Sequence, residues 1–310
     1  MARKYHVRSI SLPSRSHPST VKIEEELRKL KESLDQESST SSSGSFCVSG
    51  LSGLEELYLC LDDLLNVAST QQVLMMISQQ NQHKFDELLS LDGSVKVLDI
   101  CGITREILLQ MKEHVQALNS ALRRRKGDSS IQDNITSYIC FKKKMKKENK
   151  RLISTLKQID DNKFITMSPT LLDQDQQHFS VVIRVLREVN SMSSSIFQSL
   201  LTFLSVPMTS KPRHSTSSSR WSLVTKLMHN RRVSCDDQDH DNIVNELESV
   251  DHALFLLGRY VDHDHKMQLQ DANEKLKALE TRIEELEKGL ERLFRRLIRT
   301  RASLLNIISQ

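Results

Sequence analysis

The chain has 310 residues with 8 Gly, 5 Pro and 5% aromatic side chains, proportions low for a sheet-rich or α/β fold. Its long stretches of Leu, Glu, Lys, Arg and Gln favour helices instead. The net charge of +4 is modest but unevenly placed: residues 1–22 carry five cations and no carboxylate, and residues 121–151 carry eleven Lys and Arg against three acids. A partner attracted by charge meets these two regions first.

Five cysteines, Cys47, Cys60, Cys101, Cys140 and Cys235, stand far apart and never form a C-x-x-C pair. That usage excludes a disulfide framework and a zinc knuckle, and fits a reduced intracellular protein, cytoplasmic or nuclear. No run reaches the roughly 18 apolar residues of a spanning helix; the longest candidate, 196–208, is short and polar-interrupted.

Taken in order, residues 1–20 have no periodicity and two prolines, and are expected to be disordered in isolation. Their acid-free, Arg- and Ser-containing composition is also that of an organelle transit peptide, a weaker reading than a regulatory tail. A short helix follows with Ile23, Leu27, Leu30 and Leu34 on one face, and Ser38 to Ser45 reads as a linker. Ser52-Gly-Leu-Glu55 has the form of a capping box opening a helix through Leu54, Leu57, Leu61, Leu64 and Leu65. A second helix is expected over 69–89, interrupted at Asp92-Gly93. A third covers 94–125, with Gly102 inside it as a sign of a kink or a close helix contact. Helices over 131–159 and 173–205 come next. Residues 207–219 turn to Pro, Lys, Arg, Ser and Thr, which predicts a flexible hinge. Trp221, Val224, Leu227 and Met228 suggest a short basic amphipathic turn within the insert, and a helix over 243–261 leads into the last segment.

That last segment carries the strongest pattern in the chain. Leu269, Leu276, Ile283, Leu290, Leu297 and Leu304 recur at seven-residue intervals, with Ala272, Leu279, Leu286, Leu293, Thr300 and Ile307 as a second row between them. Two such rows describe the a and d seam of a coiled coil. Lys275 and Arg282 at g face Glu280 and Glu287 at e, an arrangement that suits a parallel pair. Beyond it Arg296 and Arg301 would repel in that scheme, and Phe294, Ile298, Leu305 and Ile308 widen the stripe. The first half therefore reads as a two-helix seam and the second as a helix packed into a larger bundle, with the partner helix in the same chain or in another.

The chemistry-bearing motifs are few. There is no phosphate-cradling glycine loop, no G-x-S-x-G, no H-E-x-x-H and no Cys–His context, so neither catalysis nor a cofactor is expected. Asp262-His263-Asp264-His265, with His252 and His240 upstream, reads as a polar face rather than a metal site, because His263 and His265 point to different sides of a helix. Lys142, Lys143, Lys144, Lys146 and Lys147, preceded by Arg123-Arg124-Arg125-Lys126, read first as a solvated helix face, and otherwise as a nuclear import signal or a contact for an anionic membrane or nucleic acid. The series Arg292, Arg295, Arg296, Arg299 and Arg301 reads as core-flanking rather than as a calmodulin or lipid site. In the N-terminal tail, Arg8, Ser9, Ser11 and Pro13 form R-S-x-S-x-P, the pattern 14-3-3 proteins read when the second Ser is phosphorylated. Arg231-Arg232-Val233-Ser234 is a second basic-directed phosphorylation candidate.

Several blocks carry a resemblance: YHVRSISLPSRSHPS, GLSGLEELYLCLDDLLN, VLDICGITREILLQMKEHVQALNSALRRR, CFKKKMKKE, RWSLVTKLM and LERLFRRLIRTRASLLNIIS. In order and across nearly the whole chain, they resemble the plant-specific domain of unknown function 241 family, grouped with BYPASS-like proteins. The resemblance implies a role in root and shoot development and carries over no catalytic residue or cofactor.

The expectation is an all-α protein, an elongated helical bundle with a long C-terminal coiled-coil helix. Residues 1–50 form a basic, Ser-rich tail with one short helix, 51–206 a bundle, 207–241 a flexible insert, and 242–310 a helical hairpin. Function is expected to lie in protein partners met through helical faces, self-association included, with the basic helix face as the rival determinant of location.

Overall fold

A computed structural model describes residues 18–37, 44–80, 91–124, 128–161, 174–205, 245–257 and 265–309. Among these residues the chain is all-α, with eight helices: α1 (Pro18–Glu37), α2 (Gly44–Leu65), α3 (Ala68–Gln80), α4 (Leu91–Arg124), α5 (Asp128–Asp161), α6 (Gln174–Leu204), α7 (Glu246–Leu257) and α8 (His265–Ile308). Pro18 opens α1 at its first position, where the missing N–H costs nothing. Asn245 caps α7: its Oδ1 accepts from the Leu247 N–H at 2.9 Å, and Glu246 and Glu248 complement the positive end of the helix.

The five longer elements α8, α4, α5, α6 and α2 pack each against the next, and α2 returns to α8, so they close into a ring. Helix α1 lies over α2 and α6, α7 lies along α8, and α3 bridges α6 and α8. The inward residues form one continuous apolar core running from Ile23 on α1 to Ile307 on α8. Helical periodicity explains why: each long helix carries an apolar stripe with no stability of its own in water, and the ring gives every stripe a facing one.

Several boundaries differ from the sequence expectation. Helix α2 begins at Gly44, so Ser52 and Glu55 lie in its middle rather than capping it. Phe46, Cys47 and Leu51 are buried and continue the inward register upstream, so tertiary burial carries the helix through the position where local capping chemistry would start it. The glycines of α2 mark close helix approaches. A Cβ on Gly53 would stand 2.4 Å from Leu30 Cδ2 on α1, and one on Gly50 would stand 2.9 Å from Ile196 Cδ1 on α6. Helix α4 starts at Leu91, which places Asp92-Gly93 in its first turn, and it passes through Gly102 without interruption. A Cβ there would meet only Phe294, at 3.8 Å, so no tight approach requires this glycine.

Candidate functional site

The seam of α8 is the first candidate, and the chain itself covers it. Leu276, Leu279, Ile283, Leu286, Leu290, Leu293, Leu297 and Leu304 are all buried, and Leu269 is partly buried where the helix begins. Helices α4 and α2 flank it on two sides and α7 on a third. The charges that suggested a parallel pair bond inside the chain. Arg282 Nε pairs with Glu246 of α7 at 2.9 Å, Lys275 with Asp271 at 2.8 Å, and Glu287 with Lys112 of α4 at 2.9 Å. Glu280 accepts from Gln116 and Asn119 of α4. The first half of α8 is therefore bundle helix, like the second.

In the second half, Arg296 and Arg301 avoid the repulsion expected of them. Arg296 lies 3.4 Å from Asp62 of α2, and Arg301 donates to Ser94 of α4. Thr300, the one hydroxyl in the seam, donates to the same Asp62 at 2.5 Å, so this polar break in the leucine rows matches a polar residue on α2. Arg292 pairs with Glu55 and Arg295 with Glu291. Ile298 and Leu305 do not widen the buried stripe: among the described residues nothing covers them, and both are exposed.

A shallow groove between α4 and α8 is lined by Gly102, Arg105, Glu106, Leu109, Glu287 and Glu291, among others. Its floor is already occupied by structural chemistry: Arg105 pairs with Glu291 and lies 4.7 Å over the Phe294 ring.

The lysine run of α5 splits into two populations. Lys142 turns inward, 5% exposed, and its Nζ lies 2.5 Å from Asp251 Oδ2 on α7. Tyr138, one turn earlier, donates its hydroxyl to Asp251 Oδ1 at 3.2 Å. Lys142 therefore does not belong to the exposed patch expected from the sequence. It follows the inward row Tyr138, Lys142, Met145, Asn149, Leu152, Leu156, all buried, whose steps of four and three fix it on the core side. Burial holds the Asp251 carboxyl above the usual carboxylate range, with the Lys142 charge and the bonds from Lys142 and Tyr138 pulling the other way. Burial also pushes the Tyr138 phenol well above its ordinary value, and the Asp251 charge adds to that shift. This triad fastens α7 to α5.

Lys143, Lys144, Lys146 and Lys147 are exposed, as are Lys150 and Lys157 further along. None of the six forms an ion pair with another described residue. Arg151 on the same side bonds Glu148 in bidentate fashion, and Glu148 is the one carboxylate between 143 and 157.

The tail motif Arg8, Ser9, Ser11 and Pro13 lies outside the described residues, as do Ser234, Cys235, Arg125, Lys126, Trp221 and the rest of the insert, the Ser-rich linker through Ser43, and His240 and His263. His252 is exposed on α7, and no group of three metal-ligating side chains occurs among the described residues. Cys47, Cys60 and Cys101 are buried and reduced, and Cys140 is exposed. Within the described residues no helix is long and apolar enough to cross a membrane.

Sequence reasoning missed Asp62 and Asp251, the two buried carboxylates that organise the polar contacts of α8 and α5. Both were detectable in principle. Asp62 follows Tyr58 by four and precedes Leu65 by three, and Asp251 holds the same relation to Leu247 and Leu254, so each charge sits in a core register and requires a partner.

No curated protein and no solved structure matches the chain. A family model described as Protein BPS1 matches residues 50–307, from within α2 through Ile307, the last buried residue of α8. With most of its length covered by that match, the chain belongs to the BPS1 family, the BYPASS-like plant family of domain of unknown function 241.

Proposed function

We propose that this protein is a non-catalytic helical interaction protein, an adaptor or scaffold, with a part in root and shoot development drawn from its family. The observation that supports this reading is the closed ring to which α8 belongs: its leucine rows meet helices of the same chain, which leaves the outer faces of the bundle for partners. Phosphorylation at Ser11 or Ser234, and a 14-3-3 protein bound at Arg8 to Pro13, fit the same reading as regulatory inputs to a scaffold. Proximity labelling in root tissue tests it, with an unrelated helical bundle of matching size and charge as the control. A set of neighbours specific to the native chain is expected; the same set from both proteins would overturn the proposal.

A second reading is favoured by the unpaired lysines of α5: the basic face sets where the protein resides, at an anionic membrane or in the nucleus. Replacing Lys143, Lys144, Lys146 and Lys147 with Gln then redistributes a fluorescent fusion, and an unchanged distribution removes this reading.

A further inference from the structure

The outward side of α5 concentrates positive charge that the fold does not use. At 100° per residue, Lys143, Lys144, Lys146, Lys147, Lys150 and Lys157 fall within an arc of about 160°, along about 21 Å of helix axis. No ion pair with a described residue neutralises any of them, and the only acid in the stretch is bonded to Arg151. Like charges at this density repel one another, so their collection on one face opposes folding slightly and calls for an external anion. We propose that this face of α5 docks the protein on an anionic lipid bilayer. The inference rests on the reading that the basic face sets location, and names the surface it meets.

Three features favour a bilayer over nucleic acid. The six unpaired cations are all lysines, mobile point charges that suit a fluid layer of headgroups, whereas bidentate recognition of a fixed phosphate favours Arg. No aromatic side chain stands between 143 and 157 to stack on a base. The lysines lie along about four turns of one uninterrupted helix, so a plane of charge meets them along its length, while the phosphates of a duplex wind away from it. No large apolar residue is exposed between 143 and 157, so attachment is electrostatic and without insertion.

Cys140 lies on the same outward face, one turn before the lysines, and the other described cysteines are buried. In the full chain carrying Cys235→Ser, an environment-sensitive fluorophore on Cys140 therefore reports from the docking face. Vesicles of phosphatidylcholine alone, and of phosphatidylcholine with phosphatidylserine, are the probes. The expected result is co-sedimentation and a fluorophore response with the anionic vesicles only. Binding fades as salt rises from about 0.1 M to about 1 M, where the screening length falls from about 10 Å to about 3 Å. Each lysine replaced by Gln among Lys143, Lys146, Lys147, Lys150 and Lys157 lowers partitioning by roughly fivefold. Circular dichroism checks that the five-fold variant remains folded. Equal binding to neutral and anionic vesicles, or binding indifferent to salt, would overturn the inference. So would tight binding of mixed-sequence nucleic acid by a chain that ignores both vesicles. If the vesicles fail while the Lys-to-Gln fusion still redistributes in cells, the docking surface is wrong and the wider reading of the basic face stands.

Discussion

Helices α8 and α5 are both long, charged and amphipathic, yet they use their charges in opposite ways. On α8, Arg282, Glu287, Glu291, Arg292 and Arg296 each bond a residue of another helix, and both leucine rows are covered. Among the charged side chains of α5, only Lys142 bonds a residue of another described helix, and the lysines that follow it face water with no ion pair to a described residue. The difference teaches that the most regular pattern in the chain serves folding. The less regular one, six lysines with no periodic apolar purpose, is what remains for a partner.

The sharpest way to break this contrast is at Asp251. Asp251→Ala leaves Lys142 buried without its partner, and unfolding free energy should fall by about 3–5 kcal/mol in a denaturant titration. The double change Asp251→Leu with Lys142→Met should recover most of that loss, because the cost comes from the stranded charge. On α8, Leu286→Ala removes a fully buried side chain from the seam and should cost about 3 kcal/mol, read the same way. If α8 instead swings out to pair with another chain in solution, that variant will change the sedimentation of the full chain rather than its stability.

Two glycines give effects of opposite sign. Gly53→Ala forces a methyl group against Leu30 and should destabilise by about 1 kcal/mol, the overpacking exceeding the gain in helix propensity. Gly102→Ala meets no close atom and should stabilise by up to about 1 kcal/mol. Thermal melts of the two variants against the native chain decide both.

Alkaline pH acts on the interior. Tyr58 is buried beside Ser193, 3.0 Å from its hydroxyl, and its phenol is pushed up to about 12. Above pH 10 the unfolded chain releases this proton while the folded chain retains it, so stability falls as pH rises from 10 towards 12. The loss is about 1 kcal/mol by pH 11. Tyr138, shifted in the same direction, adds to it. Melting temperatures at pH 8 and pH 11 should show the decline, and Tyr58→Phe should reduce its slope.

The smallest expected effect is on the outward side of α5. Replacing Lys143, Lys146 and Lys147 with Gln should leave stability within about 0.5 kcal/mol of native, because no bond is broken. A larger loss would place those lysines among the structural contacts and erase the distinction from Lys142.

Much of this was legible in the residues. Apolar spacing places helices over 131–159 and 173–205, and the structure has them over 128–161 and 174–204, since periodic spacing and the breaks between segments are local properties. The seam of α8 was legible residue by residue for the same reason. The exchange of Lys142 from the surface to the core was present in its register with Tyr138 and Met145. Its cause, however, was a carboxylate more than a hundred positions away, and no local pattern announces that.

By itself, the sequence determined that the chain is helical, which face of each helix is apolar, and that α8 must lie lengthwise against other helices. Each of these follows from spacing at about 3.6 residues per turn. Only the tertiary structure decided which helices those are, that they come from the same chain, and which charges are consumed by Asp62 and Asp251 and which stay free. The reason is physical: an apolar stripe is satisfied by any complementary stripe, so periodicity specifies that a partner exists and leaves its identity to packing and to the pairing of buried charge.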